Sequence, residues 1–120
     1  MRLYITRDSV AAADDVDAPH DRTLSDPSIT TVNDILSTVA REYQLPKIVG
    51  GKATWVLASG VPLAVFAQEW SEPRPDWRIP SRVEDLDYDG KVVRLHFSYL
   101  GQYSPEDVAN IVRHLRFRAL

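Results

Sequence analysis

His20 and Asp21 stand close to Asp14, Asp15 and Asp17, and an imidazole among carboxylates is the grouping in this chain best suited to hold a hard divalent cation or move a proton. A small metal-dependent hydrolase built on His20 and these carboxylates is therefore one functional alternative. The spacing argues against it. A calcium loop of the EF-hand kind needs a central glycine and a closing glutamate, and this stretch has neither. A solvated acidic loop accounts for the same residues more simply, so no metal or cofactor is expected.

The acidity reaches well beyond those residues. Asp8, Asp14, Asp15, Asp17, Asp21, Asp26 and Asp34 place seven carboxylates in the first third of the chain, where Arg22 is the only basic residue between Arg7 and Arg41. A second acidic stretch covers residues 69–89. Dividing the chain at Gly90 leaves 9 basic and 15 acidic residues before it (−6) and 5 basic and 2 acidic after it (+3), which sum to the net −3. Dense local negative charge repels nucleic acid and attracts basic protein surfaces. A binding protein is expected rather than an enzyme.

The remaining chemical candidates are weaker. His96 falls on the outward side of an expected strand, and His114 lies beside Arg113 and Arg116 on an expected helix; neither has a catalytic partner in view. Gly50-Gly51-Lys52 lacks the spacing and the following helix of a phosphate-binding loop and reads as a turn. Arg113, Arg116 and Arg118 form a short cluster that suits a helix C-terminus, so no direct contact with nucleic acid is expected. Trp55 reads as core. Trp70 and Trp77, set among Glu69, Glu72, Asp76, Arg74 and Arg78, have the mixture of large anchors and charged rim that protein interfaces favour.

These residues need a scaffold. Leu3 and Ile5 alternate with Tyr4 and Thr6 as a first strand, and residues 8–27, rich in Asp, Ala and Pro, read as loop. Val32, Ile35, Leu36, Val39, Ala40 and Tyr43 follow one helical face, which predicts a helix over residues 31–44, capped by Thr30 or Thr31 and stopped by Pro46. Residues 54–58 and 63–70 read as a hairpin, residues 71–81 as an exposed connection, and a second hairpin turns at Asp89-Gly90. Val93, Leu95, Phe97 and Tyr99 face inward from a last strand. Ser104-Pro105-Glu106-Asp107 then starts a helix with Val108, Ile111, Val112 and Leu115 as its apolar stripe. The expected fold is α+β: a mostly antiparallel sheet of about five strands with two main helices packed on one face.

With 120 residues, 44% of them hydrophobic, the chain suits a single domain over residues 1–120 with one core. It has no cysteine, which fits a reducing compartment. No signal-like start and no run of about 20 apolar residues is present, so the expectation is a soluble, unprocessed cytoplasmic protein without a membrane partner.

The strings Thr6-Arg7-Asp8-Ser9-Val10, Asp14-Asp15-Val16-Asp17-Ala18-Pro19-His20, Gly50-Gly51-Lys52-Ala53-Thr54-Trp55 and Ala67-Gln68-Glu69-Trp70 occur in a small acidic chain. In these features it resembles immunity proteins of bacterial polymorphic toxin systems, most closely the contact-dependent growth inhibition type. The resemblance implies a cytoplasmic antitoxin that binds the C-terminal domain of its cognate toxin, often a nuclease, and blocks the active site or substrate groove. A nuclease holds phosphates with Lys and Arg, so its cleft is a basic surface that carboxylates can occupy. On that reading Asp14, Asp15, Asp17, His20 and Asp21 supply charge complementarity, and Trp70 or Trp77 anchors a contact rimmed by Glu69, Glu72 and Asp76. Glu84, Asp85, Asp87 and Asp89 form an alternative surface. These assignments follow from charge and side-chain type, not from the family. An adaptor in a host complex is the remaining alternative.

Overall fold

The computed structural model describes residues 1–10 and 21–115. Asp14, Asp15, Asp17, His20, Arg116 and Arg118 lie outside the described residues.

The alternation at the N-terminus forms strand β1 (Arg2–Arg7), with Leu3 and Ile5 wholly buried. It pairs in parallel with β6 (Val92–Tyr99), and the register Leu3↔Val93 and Ile5↔Leu95 sets their buried side chains on one face. β2 (Arg22–Ser25) runs antiparallel along the outer side of β1. Across β6 lie β3 (Thr54–Ala58), β4 (Pro62–Ala67) and the two-residue β5 (Arg74–Pro75), each antiparallel to its neighbour. The sheet is thus six-stranded, mixed and mostly antiparallel, in the order β2-β1-β6-β3-β4-β5.

Helix α1 (Val32–Glu42) begins at a reciprocal capping box. The Thr31 hydroxyl accepts from the Asp34 amide at 3.1 Å, and the Asp34 carboxylate accepts from the Thr31 and Thr30 amides at 3.1 and 3.0 Å. Its buried stripe, Val32, Ile35, Leu36 and Val39, joins Leu3, Ile5, Trp55 and Phe97 in the main core. At its far end the Arg22 guanidinium donates to the Glu42 carbonyl. Phe97 centres an aromatic cluster, stacked on Tyr43 at 5.4 Å and met edge-on by Phe66 at 4.9 Å and Trp55 at 6.4 Å.

Helix α2 (Pro105–His114) packs elsewhere. The Ser104 hydroxyl caps it by accepting from the Asp107 amide, and Val108 and Val112 cluster with Val56 and Val65. In β3 and β4 the Val56↔Val65 pair alternates with the Trp55↔Phe66 pair, so the two pairs project from opposite faces. The helices therefore cover opposite faces, and the expectation that both pack on one face is wrong. The hairpin requires the second layer. Trp55-Val56-Leu57 and Leu63-Ala64-Val65-Phe66 are continuous apolar runs, and such strands need a covering layer on each side.

Four further details depart from the sequence reading. Residues 22–25 pair as β2 inside the expected loop and Arg74–Pro75 pair as β5 inside the expected connection, so the sheet has six strands rather than about five even though the second hairpin loses its first strand. The second hairpin reduces to a single Tyr88↔Val93 bridge, preceded by a 3₁₀ turn at Val83–Asp85. β4 ends at Ala67 because the next residues turn, the Trp70 amide donating to the Ala67 carbonyl at 3.0 Å. Ile111 and Leu115 are exposed, so the buried stripe of α2 narrows to Pro105, Val108 and Val112.

Replacing the cap, Thr31→Ala, is expected to lower stability by about 1 kcal/mol. Phe97→Ala, which empties the centre of the aromatic cluster, is expected to cost about 3–5 kcal/mol. Urea unfolding of both variants checks the order; a cap loss as large as the core loss would contradict this packing.

Candidate functional site: the open face of the β2-β1-β6 half-sheet

On the side opposite α1, helix α2 covers β3 and β4 only, and the outward residues of β1 and β6 stay accessible. The parallel register brings Tyr4 beside Arg94 and Thr6 beside His96, while antiparallel pairing sets Ala58 next to His96. Together with Asp87 these residues line a shallow groove of about 310 Å³.

One hydrogen-bonded chain crosses this face. His96 Nε2 lies 2.8 Å from Asp8 Oδ1, and its Nδ1 lies 2.7 Å from Thr6 Oγ1. With Asp8 ionised, Nε2 carries a proton toward it, and the Thr6 hydroxyl can then donate to Nδ1. The Thr6 hydroxyl also lies 3.3 Å from the Leu95 carbonyl, an alternative acceptor if Nδ1 is protonated. Carboxylate, imidazole and hydroxyl in a row are the parts that activate a hydroxyl nucleophile. Here, however, both carboxylate oxygens are engaged, since Asp8 Oδ2 also accepts from the Tyr99 amide at 2.9 Å. The Asp8 amide donates in turn to the Phe97 carbonyl at 3.0 Å. The arrangement fastens the end of β1 onto β6 and fixes the ring of His96.

Carboxylates rim the same face. Asp21 accepts from the Tyr4 hydroxyl at 3.0 Å, and this hydrogen bond, with the charge behind it, raises the phenol above its ordinary pKa. Asp89 accepts from the amides of Val92 and Lys91 and from the Arg94 guanidinium, each at 2.9 Å, and these three donors hold its carboxyl well below the usual range. Asp87 is held by its backbone, its amide donating to Ser59 and its carbonyl accepting from the Arg94 amide, while its side chain stays exposed. Glu84 and Asp85 extend this ridge into solvent above the buried Val83 and Leu86.

The residues singled out in the sequence separate into distinct regions. Asp21 belongs to the open face. Trp70, half-buried, packs beside Val65, Val108 and Val112, with the Arg74 guanidinium 4.3 Å over its ring. Trp77 is 66% exposed; its indole N–H donates to the Arg113 carbonyl at 3.3 Å, and the guanidinium groups of Arg78 and Arg113 sit 5.5 and 6.0 Å from its ring. Asp76 accepts from the Arg78 amide at 2.9 Å and shapes the turn. Glu69 and Glu72 are exposed past the end of β4. Both tryptophans thus have arginines against their rings. Sequence reasoning missed the meeting of Tyr4, Thr6 and Asp8 with Arg94 and His96, although the period-two alternation of both strands carried half of the signal.

Among the described residues no three His, Asp or Glu side chains converge as a metal-binding group, and no helix is long and apolar enough to cross a membrane. Compared with protein-family models, curated proteins and solved structures, the chain matches none.

The Asp89 contacts imply a pH dependence. Its folded pKa lies below the ordinary 3.8, so its stabilising contribution is fully present above that value and is lost as pH falls through the lowered folded pKa. Asp89→Asn is expected to be less stable than wild type near pH 7 and to lose less stability between about pH 4 and 2. Urea midpoints across that window check it; parallel acid limbs would contradict the assignment.

Proposed function

We propose that this protein is an inhibitor of the immunity type found in contact-dependent growth inhibition systems: a cytoplasmic antitoxin that binds the basic C-terminal domain of its cognate toxin, most simply a nuclease. The observation that carries this reading is the helix-free face of β2, β1 and β6, with Tyr4 on its surface and Asp21, Asp87 and Asp89 around it. An accessible aromatic within a polar, charged rim is the usual anatomy of a protein contact. Carboxylates on that rim match the lysines and arginines with which a nuclease holds phosphate, and they raise the encounter rate toward about 10⁸ M⁻¹s⁻¹ at low salt. The Asp8–His96 fastening and the Asp89 turn hold the rim in place before contact, which reduces the ordering cost of association. Inhibition of this kind requires no catalysis by the inhibitor.

Co-expression with the polypeptide encoded immediately upstream, followed by titration at two salt concentrations, tests the reading. Growth rescue and tight, salt-sensitive binding are expected. The triple variant Asp21→Lys, Asp85→Lys, Asp87→Lys is expected to weaken binding at least about tenfold and to flatten its salt dependence. Glu69→Lys with Glu72→Lys, outside this face, should do neither. Charge reversal of Asp14, Asp15 and Asp17 measures the share of that segment. Full affinity with unchanged salt dependence in the triple variant would overturn the proposed face.

A further inference from the structure

The opposite side of the sheet carries a second concavity that the inhibitor reading does not use. Where α1 ends, residues 43–47 cross the sheet without regular structure, and a cleft of about 740 Å³ opens between them and the β3–β4 hairpin. This volume lies within the range of small-molecule sites, which run from about 300 to 1,000 Å³.

Four aromatic residues line it. Tyr43 and Trp55 are almost wholly covered and form its floor, Phe66 is half-buried and gives it accessible ring surface, and Trp70, which packs toward Val65 and carries the Arg74 guanidinium over its ring, marks its edge. The floor is rigid because Tyr43, Trp55 and Phe66 all pack against Phe97. The outer wall is tied down as well. The Gln68 amide accepts from the Ile48 N–H at 2.8 Å and donates to the Ile48 carbonyl at 3.2 Å, one side chain doing the work of a strand partner. Lys47 on that wall is exposed and has no ion-pair partner among the described residues. Arg7 also lines the cleft and is already engaged, its guanidinium donating to the Asp8 carbonyl at 3.0 Å, and among the described residues the lining includes no Asp or Glu.

We infer that this cleft is a binding site for a small planar aromatic anion, such as an aromatic carboxylate or sulfonate. The half-buried Phe66 ring offers stacking surface, and the exposed Lys47 ammonium favours a negative group beside the neutral amides and apolar side chains of the described lining. The preformed floor means that a ligand need not order it on entry. The site lies on the face away from the proposed toxin contact, so it stands or falls independently of that reading.

The test uses the full chain and 8-anilinonaphthalene-1-sulfonate, a fluorescent aromatic sulfonate. One saturable site is expected, with quenching of tryptophan fluorescence and a rise in melting temperature, because a ligand that prefers the native state must stabilise it. Lys47→Glu reverses the charge of the wall, and Ala40→Phe, at an exposed helix position lining the cleft, narrows it. Each is expected to weaken binding at least about tenfold. Lys52→Glu makes the same charge change outside the cleft and should leave the affinity as it was. Absence of saturable binding, a lowered melting temperature on adding the probe, or an affinity indifferent to both Lys47→Glu and Ala40→Phe would each overturn the inference.

Discussion

The constraint on which the rest depends is that β3 and β4 are apolar on both faces. Trp55, Leu57 and Phe66 point one way and Val56 and Val65 the other, so each side of this hairpin must be covered or expose a large hydrophobic surface. The chain answers with one helix per side. Neither helix is large enough to cover a whole face. α2 has 10 residues and α1 has 11, roughly 15 and 16 Å of helix, against a sheet of six strands spaced about 4.8 Å apart. Seating α2 over Val56 and Val65 leaves β1 and β6 bare on that side. Seating α1 over Leu3, Ile5 and Phe97 leaves the end of the hairpin to an irregular segment, and the aromatic cleft is the gap. Both concavities follow from one shortage of covering surface.

How much of this could be read from the sequence depends on the range of the interaction. The helix start at Thr30 or Thr31, the Ser104-Pro105 helix start and the alternation of Val93, Leu95 and Phe97 are local, and each was legible with its correct element, although the choice of Thr31 and its reciprocal bonding with Asp34 came only from the structure. The parallel pairing of β1 with β6 was not, because nothing in either strand encodes the direction of a partner some ninety residues away. β2 was hidden for a different reason: its four residues carry one half-buried apolar side chain, Leu24, and lie in an acidic, proline-bounded stretch whose composition reads as loop. At the open face, single residues such as Asp8, Asp87 and His96 were visible, but their convergence is a property of register. His96 meets Asp8 only because Thr6 pairs with His96 and the chain continues past β1 by one residue.

The cations of this chain are placed as specifically as its carboxylates. Several cations are engaged at helix ends. Arg22 donates to the last turn of α1, and Arg78 donates to the carbonyls of Val112 and Leu115 at the end of α2, where the helix dipole favours positive charge. Arg113 and Arg74 lie against tryptophan rings, which further fixes their positions. Glu84, Asp85 and Asp87 are exposed on the ridge beside the open face, where Arg82 lies 3.6 Å from Glu84 and Arg94, on the face itself, pairs with Asp89 at 2.9 Å. Asp85 and Asp87 have no ion-pair partner among the described residues, so they are the carboxylates of this ridge that a basic partner can engage directly.

The same face also separates holding from contacting. Asp8 and Asp89 are committed to the scaffold: between them their carboxylates accept from three backbone amides, an imidazole and a guanidinium. Such carboxylates have few free lone pairs to offer a partner, and moving them would release strand ends. Asp87 and Asp85 have exposed side chains on a backbone that is itself fixed, through Ser59, Arg94 and the 3₁₀ turn. A surface carboxylate on a rigid backbone loses little freedom when it pairs with a lysine or arginine, whereas one already engaged must first give up its bonds. The acidic residues of this chain are therefore not equivalent, and the distinction rests on where the backbone amides point rather than on how many carboxylates the sequence contains.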